Sequence, residues 1–341
     1  MRSHRLLSAA LRDQSIPEAV QQTLRCALEE SVRRSLAQTG ELARVAGLFE
    51  ERGIPMVALK GPLLSHYLYG DLGARTSGDI DLLAKRKDVA RIHDVLISQG
   101  YRLTSTLHWN SASACLRSRE SEVSFESPSE VSIDVHWRLL PRYFASAFDE
   151  MDGWESLRTL TLAGRRVHTL APEPLLLFLC SHGAKHMFER LGWICDVARF
   201  LIVTRELDWA ATVAAARRTR ALRQLSLGVR LAVDLRGAPA SAELLPDPAV
   251  EPLARAVWNR LLAGATPPVP ALESTRLYLR LLETPGHKLR FLSGLYFTPS
   301  EAEYRALKFP PRLFSLYYPF RPIRLLWKHV IRRPVRVIVG S

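Results

Sequence analysis

Val20, Leu24, Leu28, Val32 and Leu36 recur at every fourth position with charges between them, and this helical period predicts a helix over about 17–52. Gly53 ends it, and Ile54-Pro55 begins something extended. Met56-Val57-Ala58-Leu59 is a short apolar run of strand type, which Lys60-Gly61-Pro62 turns into a short helix over 63–69. Gly70, Gly73 and Gly78 mark a loop. A second strand is expected over 79–83, an amphipathic helix over 89–98, and a third strand over 101–103. Strand-like stretches follow over 113–117, 122–126 and 131–137, separated by polar turns. After about residue 145 the period changes, and 172–201, 209–233 and 250–262 read as long helices. Three prolines make 263–270 a linker, and no internal repeat is visible. The predicted class is α+β: helices over 1–52, a small mixed-sheet core over 53–145, a helical domain over 146–303 and a tail over 304–341.

The length of 341 residues allows two or three domains, and 47% apolar with 24% charged residues is a globular balance. Cys26, Cys115, Cys180 and Cys195 are scattered, which suggests neither a disulfide framework nor a zinc ribbon and fits a reducing cytoplasm. No apolar run is long enough for a membrane span, and MRSHRLLSAALRDQ lacks the apolar centre of a secretory signal. The net charge of +13 suggests a nucleic-acid partner until it is located. Residues 304–341 hold nine Lys and Arg and no acid, so removing those nine charges from +13 leaves +4 on the rest. The basic character belongs mostly to the tail, which argues against a nucleic-acid substrate.

The strand over 79–83 carries the first chemistry. Alternate strand residues share a face, so Asp79 and Asp81 point one way and Ile80 the other. Two neighbouring carboxylates repel, and burying them needs a compensating cation. Mg²⁺ is the usual one, because it prefers oxygen ligands and keeps waters that phosphate oxygens can replace. Ile133-Asp134-Val135 supplies a third acid between β-branched residues, with His136 on the face of Asp134. If the two strands pair, three carboxylates converge. Most lone DxD pairs are solvated, but the apolar flanks, the upstream glycine turn and the third acid raise the metal reading.

These features resemble the nucleotidyltransferase superfamily that includes DNA polymerase β. More narrowly, LKG at 59–61, Tyr69, Arg75, DIDLL at 79–83, GYRL at 100–103 and IDVHWRL at 133–139 resemble a bacterial branch labelled uncharacterised nucleotidyltransferases. The likeness continues through 175–201 and into the tail. It implies a small mixed-sheet fold, an NTP substrate, ATP among the candidates, and two Mg²⁺ ions held by Asp79, Asp81 and Asp134. It also implies that Asp134 polarises or deprotonates an acceptor hydroxyl, that Gly61 approaches the phosphates, and that Arg75 or Lys60 neutralises developing charge. Two departures stand out. The usual Gly-Gly or Gly-Ser turn is Gly61-Pro62 here, and 61–79 is a longer spacing than usual. Arg75 has an equally good reading as a surface ion pair with Asp71 or Asp79, and Lys60 as a solvated strand-end residue.

SHGAKHMFERLGWICD, 181–196, reads as helical, with His182 and His186 one turn apart and Lys185 between them. HxxxH alone is a weak zinc motif. A cleft lining or core hydrogen bonding is favoured over a metal, and an approach of Lys185 and a histidine to the nucleotide phosphates is a third reading. Asp196 is expected to orient a histidine or cap a local network, and Trp137 to be core. In the tail, Ile323, Leu326, Trp327 and Val330 alternate with Arg321, Arg324, Lys328 and Arg332 as a basic amphipathic helix. It suits an anionic surface or acidic partner, although docking of its apolar face on the helical domain is slightly preferred. The expected function is NMP transfer from an NTP to an unknown small molecule, carbohydrate or protein, with release of pyrophosphate. A nucleotide-binding scaffold that has lost turnover is the alternative.

Overall fold

The computed structural model describes residues 17–75, 77–104, 121–141, 144, 154, 156–244, 247–264 and 271–328. The strand expected over 113–117 lies outside them, as do most of the linker and the last part of the tail.

Helix α1, Glu18–Glu50, matches the predicted helix, but a different face carries the core. Val20 and Leu36 of the period-four stripe are 47% and 56% exposed, whereas Leu42, Val45 and Phe49 are buried. A four-residue repeat drifts off the 3.6-residue turn, so the stripe winds away from any fixed partner.

Five strands form one sheet: β1 Met56–Ala58, β2 Ile80–Ala84, β3 Arg102–Leu103, β4 Glu122–Glu126 and β5 Ser132–His136. Their order is β1-β2-β5-β4-β3. Only β2 and β5 run parallel, with Ile80 opposite Ile133 and Asp81 opposite Asp134. Helix α2, Pro62–Tyr69, follows β1, and helix α3, Val89–Ser98, follows β2. Strand alternation puts Ile80, Leu82, Phe125, Ile133 and Val135 into one core with α1 and α3. The opposite face is left for Asp81, Asp134 and His136. Trp137 is buried in that core, as expected.

A hairpin replaces the expected start of the helical region. Strands β6 Leu157–Leu162 and β7 Arg165–Leu170 are joined at Ala163 and Gly164, both at positive φ. Two positive φ values suit the twist of a two-residue hairpin turn. Leu162 and Val167 join the sheet core, while Leu170 joins the helical one.

Helix α4 is Pro172–Lys185, α5 Leu191–Val203, α6 Trp209–Thr219 and α7 Leu222–Arg236. The two long helices expected over 172–201 and 209–233 are thus each broken, the second at Arg220 with φ 55°. Helices α4 and α7 cross at Gly228, where a Cβ would come within 2.5 Å of Cys180 Sγ. Helices α8 Glu251–Leu262, α9 Ala271–Leu281, α10 Pro285–Phe297, α11 Glu301–Ala306 and α12 Tyr317–Leu326 complete the described chain. Tyr304, Phe314 and Tyr317 return to the sheet core. The tail helix does not dock by its apolar face: Arg321 is buried on Glu303, while Ile323, Leu326 and Trp327 are exposed. No helix among the described residues is long and apolar enough to cross a membrane.

Candidate active site

Strand β1 ends at Ala58, Lys60 follows two residues later, and Gly61 turns the chain into α2 with φ 73°. A Cβ there would sit 3.2 Å from the Asp79 carbonyl oxygen, so only glycine allows β1 and the start of β2 to approach this closely. Pro62 takes the first helical position, where no intrahelical hydrogen bond is lost.

Beneath this turn lies a buried relay of alternating charge. Glu122 Oε2 is 3.0 Å from His136 Nδ1, and His136 Nε2 is 3.0 Å from Asp81 Oδ1. Asp81 Oδ2 is 3.0 Å from Lys60 Nζ, which is 3.2 Å from His182 Nε2. Lys60 is therefore buried, not a solvated strand-end residue. Burial acts against ionisation of Asp81, yet Lys60 and His136 overcome it and hold the carboxyl well below its usual range. Burial also works against charge on His136, but Glu122 and the hydrogen bond to Asp81 raise it to about 10. Glu122 is drawn down to about 2, its burial outweighed by His136. Asp79 goes the other way, raised to about 6 by burial and then by the charge of Asp81. Burial raises Asp134 as well.

Asp81, Asp134 and His136 each offer a ligand atom within 4.8 Å of the others. Asp79 lines the same cleft but is not part of this trio. Both ring nitrogens of His136 are already engaged with carboxylates, so it acts as a counter-charge. Asp81 Oδ2 is buried and, despite its ion pair with Lys60, accepts no well-aligned hydrogen bond. A buried carboxylate oxygen that accepts no aligned hydrogen bond, beside a second carboxylate, fits a hard divalent cation.

Arg75 pairs with neither Asp71 nor Asp79. Its Nε donates to Asp196 Oδ2 at 2.8 Å, and both side chains are nearly buried. Tyr69 Oη donates to Asp196 Oδ1 at 3.5 Å. Asp196 therefore orients an arginine rather than a histidine, tying α5 to the loop before β2. Asp71 instead accepts from the Gly73 amide.

The stretch 181–196 is not one helix. Helix α4 stops at Lys185, and Met187 and Phe188 take φ values of 50° and 46°. The Phe188 amide donates to the Gly183 carbonyl at 2.7 Å, and its ring covers Gly183 so closely that a Cβ would lie 2.2 Å from it. This reversal gathers three rings. His182 and His186 are 4.9 Å apart by centroid, with Trp193 5.4 Å and 5.2 Å from them. Burial, then the charge of Lys60, holds His182 well below its ordinary range. Burial, then Lys185, lowers His186 to about 4. Lys185 is not among the residues lining the cleft, and its carbonyl accepts from Tyr278 Oη.

The cleft of about 570 Å³ runs between these two sides. Lys60, Arg75, Asp79 and Asp81 face it from the sheet, and His182, His186, Trp193, Arg199 and Arg236 from the helices. Asp134 is not among the residues lining the cleft; it lies on β5 next to its register partner Asp81. Glu122 escaped the sequence reading. Its signal was the alternation Glu122-Val123-Ser124-Phe125, which places it on the face of Asp134 once β4 pairs with β5.

Several solved structures show likeness to the chain, three of them as follows. The solution structure of the antibiotic-resistance factor ANT(2'')-Ia is 16% identical, covers 67% of this chain and 95% of its own, and gives a TM-score of 0.33. A crystal structure of ANT(2'')-Ia with adenylyl-2''-tobramycin is 15% identical, with coverages of 66% and 99% and a TM-score of 0.31. An antigenic nucleotidyltransferase-like protein from Paracoccidioides brasiliensis is 13% identical, with coverages of 58% and 88% and a TM-score of 0.35. No curated protein matches significantly. The model of the family described as "Uncharacterised nucleotidyltransferase" matches residues 2–237. That span takes in the sheet, the cleft and both of its sides, and the chain belongs to this nucleotidyltransferase family.

Proposed function

We propose that this transferase moves a nucleoside monophosphate from an NTP to a hydroxyl or phosphate oxygen of an acceptor, with Mg²⁺. The observation that carries this reading is the parallel β2–β5 pair, which sets Asp81 against Asp134 with a buried, unsatisfied carboxylate oxygen. Two Mg²⁺ ions held by Asp79, Asp81 and Asp134 would screen the phosphate charge and polarise the acceptor oxygen. The chain's own groups do the rest. The acceptor oxygen bonds to the α-phosphorus, and the bond from that phosphorus to its bridging oxygen breaks. Pyrophosphate leaves with the electron pair, and the acceptor proton passes to Asp134. Lys60, already at the mouth of the turn, supplies positive charge to the phosphates, with Gly61 letting the backbone come close. Arg75 does the same from a position fixed by Asp196. His182 and His186, held neutral, form the opposite wall with Trp193.

Calorimetry with an NTP and Mg²⁺ tests this directly, comparing wild type with Asp79→Asn/Asp81→Asn. Metal-dependent binding by wild type and its loss in the variant supports the reading. A folded wild type that binds no NTP sinks it. Binding without pyrophosphate release across a broad acceptor screen would favour the nucleotide-binding scaffold, a reading that Pro62 in the glycine turn allows.

A further inference from the structure

Helix α12 packs Tyr317 into the sheet core, but from Arg321 onward it is mounted inside out. There the polar residues face the protein. Arg321 Nη1 donates to Glu303 Oε2 at 2.6 Å and to Ser300 Oγ at 2.7 Å, and its Nε and Nη2 donate to the Leu295 carbonyl. Arg324 Nε donates to the other oxygen of Glu303. Glu303 is fully buried, and Arg321 nearly so. The apolar residues face water: Ile323 is 63% exposed, Leu326 60% and Trp327 55%. They stand at i, i+3 and i+4, so they form one stripe on the helix. Tyr296 and Phe297, also exposed, follow immediately on the Leu295 carbonyl that receives Arg321. An arginine anchored through two helices fixes this presentation, so the exposed stripe belongs to the fold and not to a frayed end.

We propose that this surface docks on an anionic lipid membrane. Charge complementarity selects the occupant. Residues 304–341 carry nine Lys and Arg and no acidic residue; Arg321 and Arg324 are spent on Glu303, which leaves seven, among them Arg332, Arg333 and Arg336 in the thirteen residues after Lys328. A helix with Trp, Leu and Ile on one side and basic residues beside them lies in the interface, apolar side chains among the acyl chains and cations at the headgroups. An RNA would use the charge and leave Ile323 and Leu326 in water. The inference does not depend on the reading of the cleft, since none of these residues lines it.

Flotation of the full chain with vesicles provides the test. Wild type is expected to float with phosphatidylcholine vesicles containing a third phosphatidylglycerol, to stay behind with phosphatidylcholine alone, and to be released by high salt. Ile323→Ser/Leu326→Ser/Trp327→Ser keeps Arg321 and Glu303, so its melting temperature should stay near wild type while its partitioning falls about tenfold or more. Absence of wild type from the anionic vesicles overturns the proposal. So does a triple variant that floats as well as wild type. Concentration-dependent dimerisation that the triple variant abolishes, without flotation, would assign the surface to a second copy and overturn it too.

Discussion

The two sides of the cleft handle histidine in opposite ways. On the sheet side, His136 sits between Glu122 and Asp81 and is kept charged. On the helical side, His182 and His186 face Lys60, Lys185 and Trp193 and are kept neutral. One residue type thus serves as a fixed cation on one side and as an uncharged aromatic wall on the other. The neighbours decide, through the balance of desolvation against carboxylate or ammonium charge. The sheet side concentrates charge, and the helical side frames it with rings.

Four changes would break or sharpen this contrast. The largest effect is expected from Asp81→Asn. It removes the acid that both Lys60 and His136 depend on, so pyrophosphate release should fall on the order of a thousandfold. Stability should also fall by about 3 kcal/mol, because buried Lys60 loses its carboxylate and His136 keeps only Glu122. Urea unfolding beside the activity assay checks both, and near-wild-type turnover would remove Asp81 from the chemistry. Next comes Arg75→Ala, which cuts the tie between the sheet loop and α5 and should cost about 3 kcal/mol. Asp196→Asn should cost a similar amount, and the double variant clearly less than the sum of the two. Additive losses in a double-mutant cycle would show that the pair is not coupled.

Gly183→Ala strikes the helical side alone. Its Cβ would meet the Phe188 ring at 2.2 Å, and the ring must move. A cost of about 2 kcal/mol is expected. Near-ultraviolet dichroism from Trp193 should change, with a weaker effect on turnover than at Asp81. The smallest effect is a pH signature. His186 titrates near 4 in the folded chain and His182 is also depressed, against about 6.5 when unfolded. Below about pH 6.5 the unfolded chain takes up protons that the folded chain refuses, so stability falls as pH falls, by about 1 kcal/mol between pH 7 and 6. His136 runs the other way: its contribution is complete below about pH 6.5 and is lost as pH rises through about 10. Urea midpoints across this range test the signs, and His186→Gln should flatten the acid limb only.

The sheet side was the more legible in the sequence. Alternation in a strand is strict, so Asp79, Ile80 and Asp81, and likewise Ile133, Asp134 and Val135, declare their faces without knowledge of neighbours. What spacing could not give was register, and register is what brought Glu122 to His136. The helical side was hidden because its decisive feature is a break. Nothing in GAKHMFERLG announces that two consecutive non-glycine residues will adopt positive φ, a conformation stabilised by Phe188 closing on Gly183. The β6–β7 hairpin was missed for a related reason. Its outward positions are charged, its inward ones few, and the strong helical period just after it dominated the reading. The stripe of α1 failed because periodicity reports amphipathicity and not whether a partner exists to cover it.

The sheet core also has a consequence for the order in which the protein can be finished. Phe49, Ile80 and Ile133 share that core with Tyr304, Phe314 and Tyr317, which are synthesised only after the helical region. The nascent chain must carry an incompletely covered sheet while the whole helical region is being made. A fragment ending at residue 237, the limit of the family match, would keep every cleft residue yet leave the aromatic side of that core open to water. Such a fragment should be prone to aggregation despite keeping the cleft, because the segment around Tyr304, Phe314 and Tyr317 acts as the closing plate of the sheet core.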